Sequence, residues 1–252
     1  VSAVLRFDRS RAPASDDTDR DRFHDLAFAR IVRELGAKPG DEIFDAGCGD
    51  CTNALRFTKH GLRVKGVDAS LLAIDRARAR IARARAERRI SVAHGDLRAL
   101  RVRDGAFRFA SCWSVLMHVP EVERALDELA RVITKRGRLA IMETTCESLQ
   151  ARTWDRARRL LGRRAPRLER TARGLEEWRE EGLLVRGFDP VWLADQLDRR
   201  GMALVSRFAG QLTDVEPATP LARAVKKLGD LYFTANAPPR FAHGNVFVFE
   251  KR

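Results

Sequence analysis

Glu42-Ile43-Phe44-Asp45-Ala46-Gly47-Cys48-Gly49-Asp50-Cys51-Thr52-Asn53-Ala54-Leu55 decides the fold. A short apolar run breaks into closely spaced glycines and then into helix formers. That order predicts a strand, a tight turn and a helix, with the turn's backbone laid open to a ligand. The segment therefore reads as a cofactor loop.

The flanks extend the pattern. Upstream, residues 1–17 mix charge, a proline and small residues without a period, which predicts a loose arm. From Thr18, the spacing of Phe23, Leu26, Ala27, Ile31 and Leu35 predicts a helix closed by Gly36. Downstream, strands are expected at 63–68, 90–94, 107–113 and 138–144, with helices at 53–60, from Ser70 through Ile81, and from Val122 to Ile133. Alternation of this kind implies right-handed crossovers and a parallel sheet covered on both faces.

Between Cys146 and Gly187 the apolar spacing predicts a helical insertion on the rim of the sheet. Nine arginines against two acids in residues 151–173 make it strongly basic. Asp189-Pro190 starts another helix, N-cap followed by proline. A sixth strand follows at 203–208, a second, irregular insertion at 211–240, and a last strand at 245–250. Residues 18–252 are thus expected to form a single domain.

The 252 residues suffice to bury a full core, and a formal charge of +13 favours anionic partners in general. Four cysteines are too few for a disulfide framework, the N-terminal residues carry no apolar leader run, and no stretch is apolar enough to span a bilayer. These features predict a cytoplasmic protein.

In a parallel sheet ligands sit beyond the carboxyl ends of the strands. Asp68, ending the second strand, could accept hydrogen bonds from both hydroxyls of a ribose, although alone it would read as a helix cap. An NAD-dependent oxidoreductase would want a third glycine where this chain has Thr52, and Asp50 would repel a pyrophosphate. Cys48 and Cys51 spell a redox or metal pair, but no second pair exists to complete a metal site and the position already serves the glycine loop. His118, after the fourth strand, could be a general base or a structural residue. Candidate acceptor contacts are Glu143, Tyr232, His243 and, in the basic insertion, Arg158 and Arg159. The insertion is either a solvated surface or a lid recognising phosphate or carboxylate.

The chain resembles the class I S-adenosylmethionine-dependent methyltransferases. The resemblance lies in Asp45-x-Gly47-x-Gly49, with Cys51 in place of the family's last glycine. It continues in Gly66-Val67-Asp68-Ala69-Ser70, Gly95-Asp96-Leu97, Ser114 to Pro120, and Arg131 to Leu139. It implies a Rossmann-like, doubly wound, mostly parallel seven-stranded α/β sheet with helices on both faces and an antiparallel last strand. It also implies S-adenosylmethionine as cofactor, held by Asp45, Gly47, Cys48, Gly49, Asp68, Ala69, Asp96, Leu97 and Ser114. The function expected is methylation of a hydroxyl on a small-molecule or lipid- or sugar-linked acceptor, anionic if the arginines form a lid. Methylation of RNA or another nucleic acid is the alternative that the charge suggests, but the Asn/Asp-Pro-Pro-aromatic motif of base-amino methyltransferases is replaced here by Cys112-Trp113-Ser114-Val115.

Overall fold

A computed structural model of the chain describes residues 18–153, 168–178, 183–213 and 219–252. The predicted arm at 1–17 lies outside them. The strands β1 (Glu42–Ala46), β2 (Arg63–Asp68), β3 (Ile90–His94), β4 (Phe107–Trp113), β5 (Ile133–Thr144), β9 (Met202–Ala209) and β10 (Gly244–Lys251) form one seven-stranded sheet, in the order β3-β2-β1-β4-β5-β10-β9. β1 pairs in parallel with β2 on one side and β4 on the other. The chain therefore steps outward to β3 and then returns across β1, which places the reversal of strand order at the glycine loop. β10 runs antiparallel to both β5 and β9.

Period-two alternation divides the sheet between two cores. Ile43, Phe109, Val246 and Val248 face α1 (Thr18–Leu35), α2 (Thr52–Lys59) and α3 (Leu71–Arg83). Phe44, Ala110, Phe247 and Phe249 face α4 (Val122–Val132) and α5 (Pro190–Asp198). In α4 the residues Val122, Ala125, Leu126, Leu129 and Val132 are all buried, the stripe that helical spacing predicts. Each large side chain there contributes roughly 1.5–3 kcal/mol. At the start of α3 the Ser70 hydroxyl accepts the Ala73 amide, and at the start of α5 Asp189 accepts those of Val191 and Trp192.

The insertion at 146–187 is helical as expected at 149–153 but differs from 168 onward. Its described residues from 168 onward form β6 (Leu168–Thr171), β7 (Gly174–Trp178) and β8 (Leu184–Phe188), a separate antiparallel sheet. In β8 the inward row is Leu184, Arg186 and Phe188. An arginine in that row breaks the apolar alternation by which a strand is read, so helical spacing looked the better match. The segment at 211–240 is more regular than expected, since Pro220–Thr234 forms a helix, α6. No helix of the described residues is long and apolar enough to cross a membrane.

Candidate active site

The glycine loop leaves β1 under tight constraint. Gly47 adopts φ 78, and a Cβ there would lie 2.4 Å from a methyl of Val115. Its amide and that of Cys48 both donate to the Val67 carbonyl, at 2.8 and 3.0 Å. Gly49, at φ 54, has no heavy atom within 4 Å of where a Cβ would be, so the backbone there faces open space. Cys51 stands where the resembling motif has glycine, and takes the left-handed conformation such a position demands, φ 64, while wholly buried.

Asp68 is held by the loop it faces. One carboxylate oxygen accepts the Gly49 amide and the other the Ser70 amide, each at 2.8 Å. An oxygen with two lone pairs keeps a second acceptor direction after such a bond, so the pair can still receive two hydroxyls. Asp45 is only 2% exposed, and its Oδ2 is buried without a hydrogen-bond partner. Burial, reinforced by the nearby Asp68 charge, pushes its carboxyl up to about 7.

Asp50 is less of an obstacle to an anion than the sequence suggested. Its carboxylate accepts the Thr52 amide and hydroxyl and meets the Arg80 guanidinium at 2.5 Å. Burial raises its pKa, but those bonds and the Arg80 charge outweigh it and hold the group below the usual carboxylate range. Asp96 is engaged by Arg98, whose hydrogen bonds likewise hold its carboxyl down against partial burial. Leu97 is buried beside it, and the neighbouring Ala69 is exposed.

The Cys48 thiol is pushed far up by a hydrogen bond with Cys51 and by burial, so it stays protonated. A protonated, buried thiol is a poor nucleophile. All four cysteines are free, and among the described residues no cluster of three or more His, Cys, Asp or Glu could hold a metal.

After β4, Ser114 turns at φ 54 into a short 3-10 helix, Leu116–His118. Glu143, proposed from sequence to touch the acceptor, is instead fully buried beneath this turn. Its carboxylate accepts the amides of Val115 (2.9 Å), Leu116 (2.7 Å) and Met117 (3.3 Å). Burial raises its pKa to about 8, against the pull of those amides and of Arg186. The role of Glu143 is to cap the turn.

His118 Nδ1 lies 2.8 Å from the Leu184 carbonyl of β8. A carbonyl only accepts, so Nδ1 carries the proton and Nε2 is the basic nitrogen of the neutral ring. Tyr232 on α6 donates its hydroxyl to the Pro238 carbonyl. The His243 carbonyl accepts the Thr145 amide at the end of β5, which brings 243 to the same rim of the sheet as 118. Arg158 and Arg159 lie outside the described residues.

Sequence reasoning missed Arg80, Arg98 and Arg186. Arg80 and Arg186 look like surface charge until their partners, distant in the chain, are known, and Arg98 looks so although its partner Asp96 is two residues away.

The methyltransferase domain family matches this chain over residues 44–141. An uncharacterized 37.1 kDa protein in transposon TN4556 of Streptomyces fradiae is 35% identical over 122 residues, 47% of this chain and 34% of that protein. O-methyltransferase resE of Aspergillus sclerotiorum is 26% identical over 233 residues, covering 88% of this chain and 85% of that protein. The chain thus spans about a third of one relative and most of the other. Among solved structures, magnesium protoporphyrin IX methyltransferase of Synechocystis PCC 6803 with bound SAH superposes with a TM-score of 0.62 at 16% identity, over 93% of this chain and 86% of that one.

The doubly wound sheet with its glycine loop at the reversal point is Rossmann-like, the fold of the methyltransferase structures it superposes on. Residues 44–141 match the methyltransferase domain family, and the chain has the fold of the methyltransferases it superposes on; S-adenosylmethionine is the cofactor that this match implies. The NAD reading is set aside accordingly. The residues fit that group: a cationic ligand would answer the orphaned buried oxygen of Asp45, and Asp68, held by two amides, keeps acceptor directions that vicinal hydroxyls could fill.

Proposed function

We propose that the protein transfers a methyl group to a hydroxyl of a small-molecule acceptor, with His118 as the general base. The observation that carries this reading is the 2.8 Å contact between His118 Nδ1 and the Leu184 carbonyl. With Nδ1–H committed to the Leu184 carbonyl, Nε2 is the ring nitrogen able to take a proton.

The bound cofactor supplies an electrophilic methyl on a positively charged sulfur. Gly47, Gly49 and Asp68 would position it, Asp45 would supply a buried counter-charge, and Ala69, Asp96 and Leu97 would hold its adenine end. Cys48 and Ser114 contribute loop backbone. His118 Nε2 would take the hydroxyl proton as the acceptor oxygen bonds to the methyl carbon, while the carbon–sulfur bond breaks with its electron pair left on the sulfur of the demethylated cofactor. Tyr232, His243 and the arginines 158 and 159 are the proposed acceptor-side contacts. The relative described as an O-methyltransferase supports oxygen as the atom methylated.

The test is transfer of labelled methyl from S-adenosylmethionine to a panel of phenols, hydroquinones, sugars, carboxylates, nucleosides and RNA. Labelling of a hydroxyl acceptor, lost by about 100-fold or more in His118→Ala, supports the proposal. Labelling confined to RNA, or full activity in His118→Ala, refutes it. Asp68→Ala should weaken cofactor binding at least tenfold in calorimetry.

A further inference from the structure

The 115–120 segment is gripped from both ends of its peptide dipoles. Glu143, a buried carboxylate on β5, takes the amides at the start of the turn, as described above. Arg186, a buried guanidinium on β8 only 1% exposed, takes the carbonyls at its end: Leu116 and Val119 at 3.1 Å and Pro120 at 3.5 Å. Its remaining nitrogen donates to Glu176 on β7 at 2.7 Å. A planar fork with all three nitrogens engaged fixes direction in a way a lysine's point charge cannot.

The strand that carries Arg186 also carries the acceptor for the His118 ring. Leu184, two residues earlier and hence in the same inward row, offers its carbonyl to Nδ1. The Thr144 hydroxyl donates to the Arg186 carbonyl, and the Cys146 amide to that of Phe188, so β8 is tied to the end of β5 as well. One strand thus sets both the position of the loop and the tautomer of the ring. A structural staple would require only the first.

We propose that Arg186 is a positioning residue for methyl transfer: with Glu176 as its counter-ion, it holds the 116–120 carbonyls so that His118 keeps its Nδ1–H against Leu184 and presents Nε2 as the base. The proposal rests on the reading of His118 as the base. It also assigns the second sheet a function, as the support of the loop that bears that residue.

The experiment uses the whole chain, labelled with 15N in its five histidine rings. His118 is assigned by its loss in His118→Ala. Two variants are compared with the wild type. The double substitution Arg186→Met, Glu176→Leu removes both partners of the pair together, so that neither is left buried opposite a missing one. Arg186→Lys keeps the charge beside Glu176 and removes the fork. Binding of S-adenosylhomocysteine, measured by calorimetry, reports whether the cofactor site is intact.

Expected are a wild-type His118 held as the Nδ1–H tautomer and a mixed tautomer signal in both variants. Cofactor-product affinity should stay within about threefold, and kcat on the hydroxyl acceptor should fall about tenfold or more at unchanged KM for the cofactor. The kcat loss should not add to that of His118→Ala, because the two residues act as one unit. An unchanged tautomer in Arg186→Lys overturns the proposal. So does a loss of S-adenosylhomocysteine binding in Arg186→Lys that matches its loss of kcat, since a scaffold role alone would do that. If His118→Ala stays fully active, the base assignment fails, while the ring spectra still decide whether Arg186 holds His118.

Discussion

Gly47→Ala should be the most damaging single methyl in the glycine loop, for two separable reasons. The backbone at φ 78 is left-handed, and a Cβ there costs about 1 kcal/mol even in open space. The space is also taken, since the ideal Cβ falls 2.4 and 2.6 Å from the two methyls of Val115, far inside the ~3.5–4.0 Å of ordinary carbon contact. Val115 has little freedom to yield. Its β-branched side chain is stiff at χ1, and its amide is bonded to Glu143 at 2.9 Å. Moving the backbone instead would pull the 115–117 amides off a buried carboxylate. We expect a loss of about 2–4 kcal/mol in urea unfolding, overpacking and strain together, with cofactor-product binding weakened in parallel. Val115→Ala removes both offending methyls and should recover about 1–2 kcal/mol in the double variant relative to additivity. A Gly47→Ala loss below about 0.5 kcal/mol, or strict additivity with Val115→Ala, would refute the close-contact argument.

Two further outcomes follow from the same loop. Asp45 has a folded-state pKa of about 7 against an ordinary 3.8, so the folded chain holds a proton that the unfolded chain releases. That contribution to stability is full below about pH 4 and is lost as the pH rises through 7. Wild type should therefore lose more stability between pH 5 and 7.5 than Asp45→Asn, by on the order of a few kcal/mol, in thermal unfolding without cofactor; parallel curves would contradict it. Cys51→Gly relieves a left-handed backbone but gives up a fully buried side chain, so its stability should change by less than about 1 kcal/mol, whereas Cys51→Val should lose about 2 kcal/mol or more in the same assay.

The main sheet and its reversal point were legible because the signals are local. Asp45 to Cys51 names a turn by its glycines, Ser70 and Asp189 name helix starts by their side chains, and Val122 to Val132 repeats at helical spacing. The second sheet was not legible, because β8 buries Arg186 where an apolar residue would have completed the alternation. Glu143 illustrates a different limit. The sequence placed it at the end of a strand on the right rim, but whether a carboxylate there meets a substrate or a backbone turn depends on the three amides that fold over it. Asp68 was readable because the two amides that orient it come from the glycine loop and the helix cap already identified beside it.

The arginines themselves argue against reading the charge of +13 as a footprint for nucleic acid. A basic interface needs cations that are free to meet phosphates. Here many are committed inward or sideways. Arg131 binds Glu128, Asp104 and the carbonyls of Leu100 and Val102; Arg138 binds Glu250 and the Glu34 carbonyl; Arg200 binds Asp127. Arg173, counted in the basic insertion, reaches from the turn between β6 and β7 to Glu123 of α4 at 2.6 Å. Arg186 is wholly internal. These side chains do what apolar contacts do elsewhere, joining elements across short gaps, with a guanidinium fork supplying direction. Charge spent on bracing the fold cannot also be counted as charge offered to a partner. The case for an anionic acceptor therefore loses Arg173 from the basic insertion, and the bracing arginines show that so high a charge is compatible with the neutral hydroxyl acceptor proposed above.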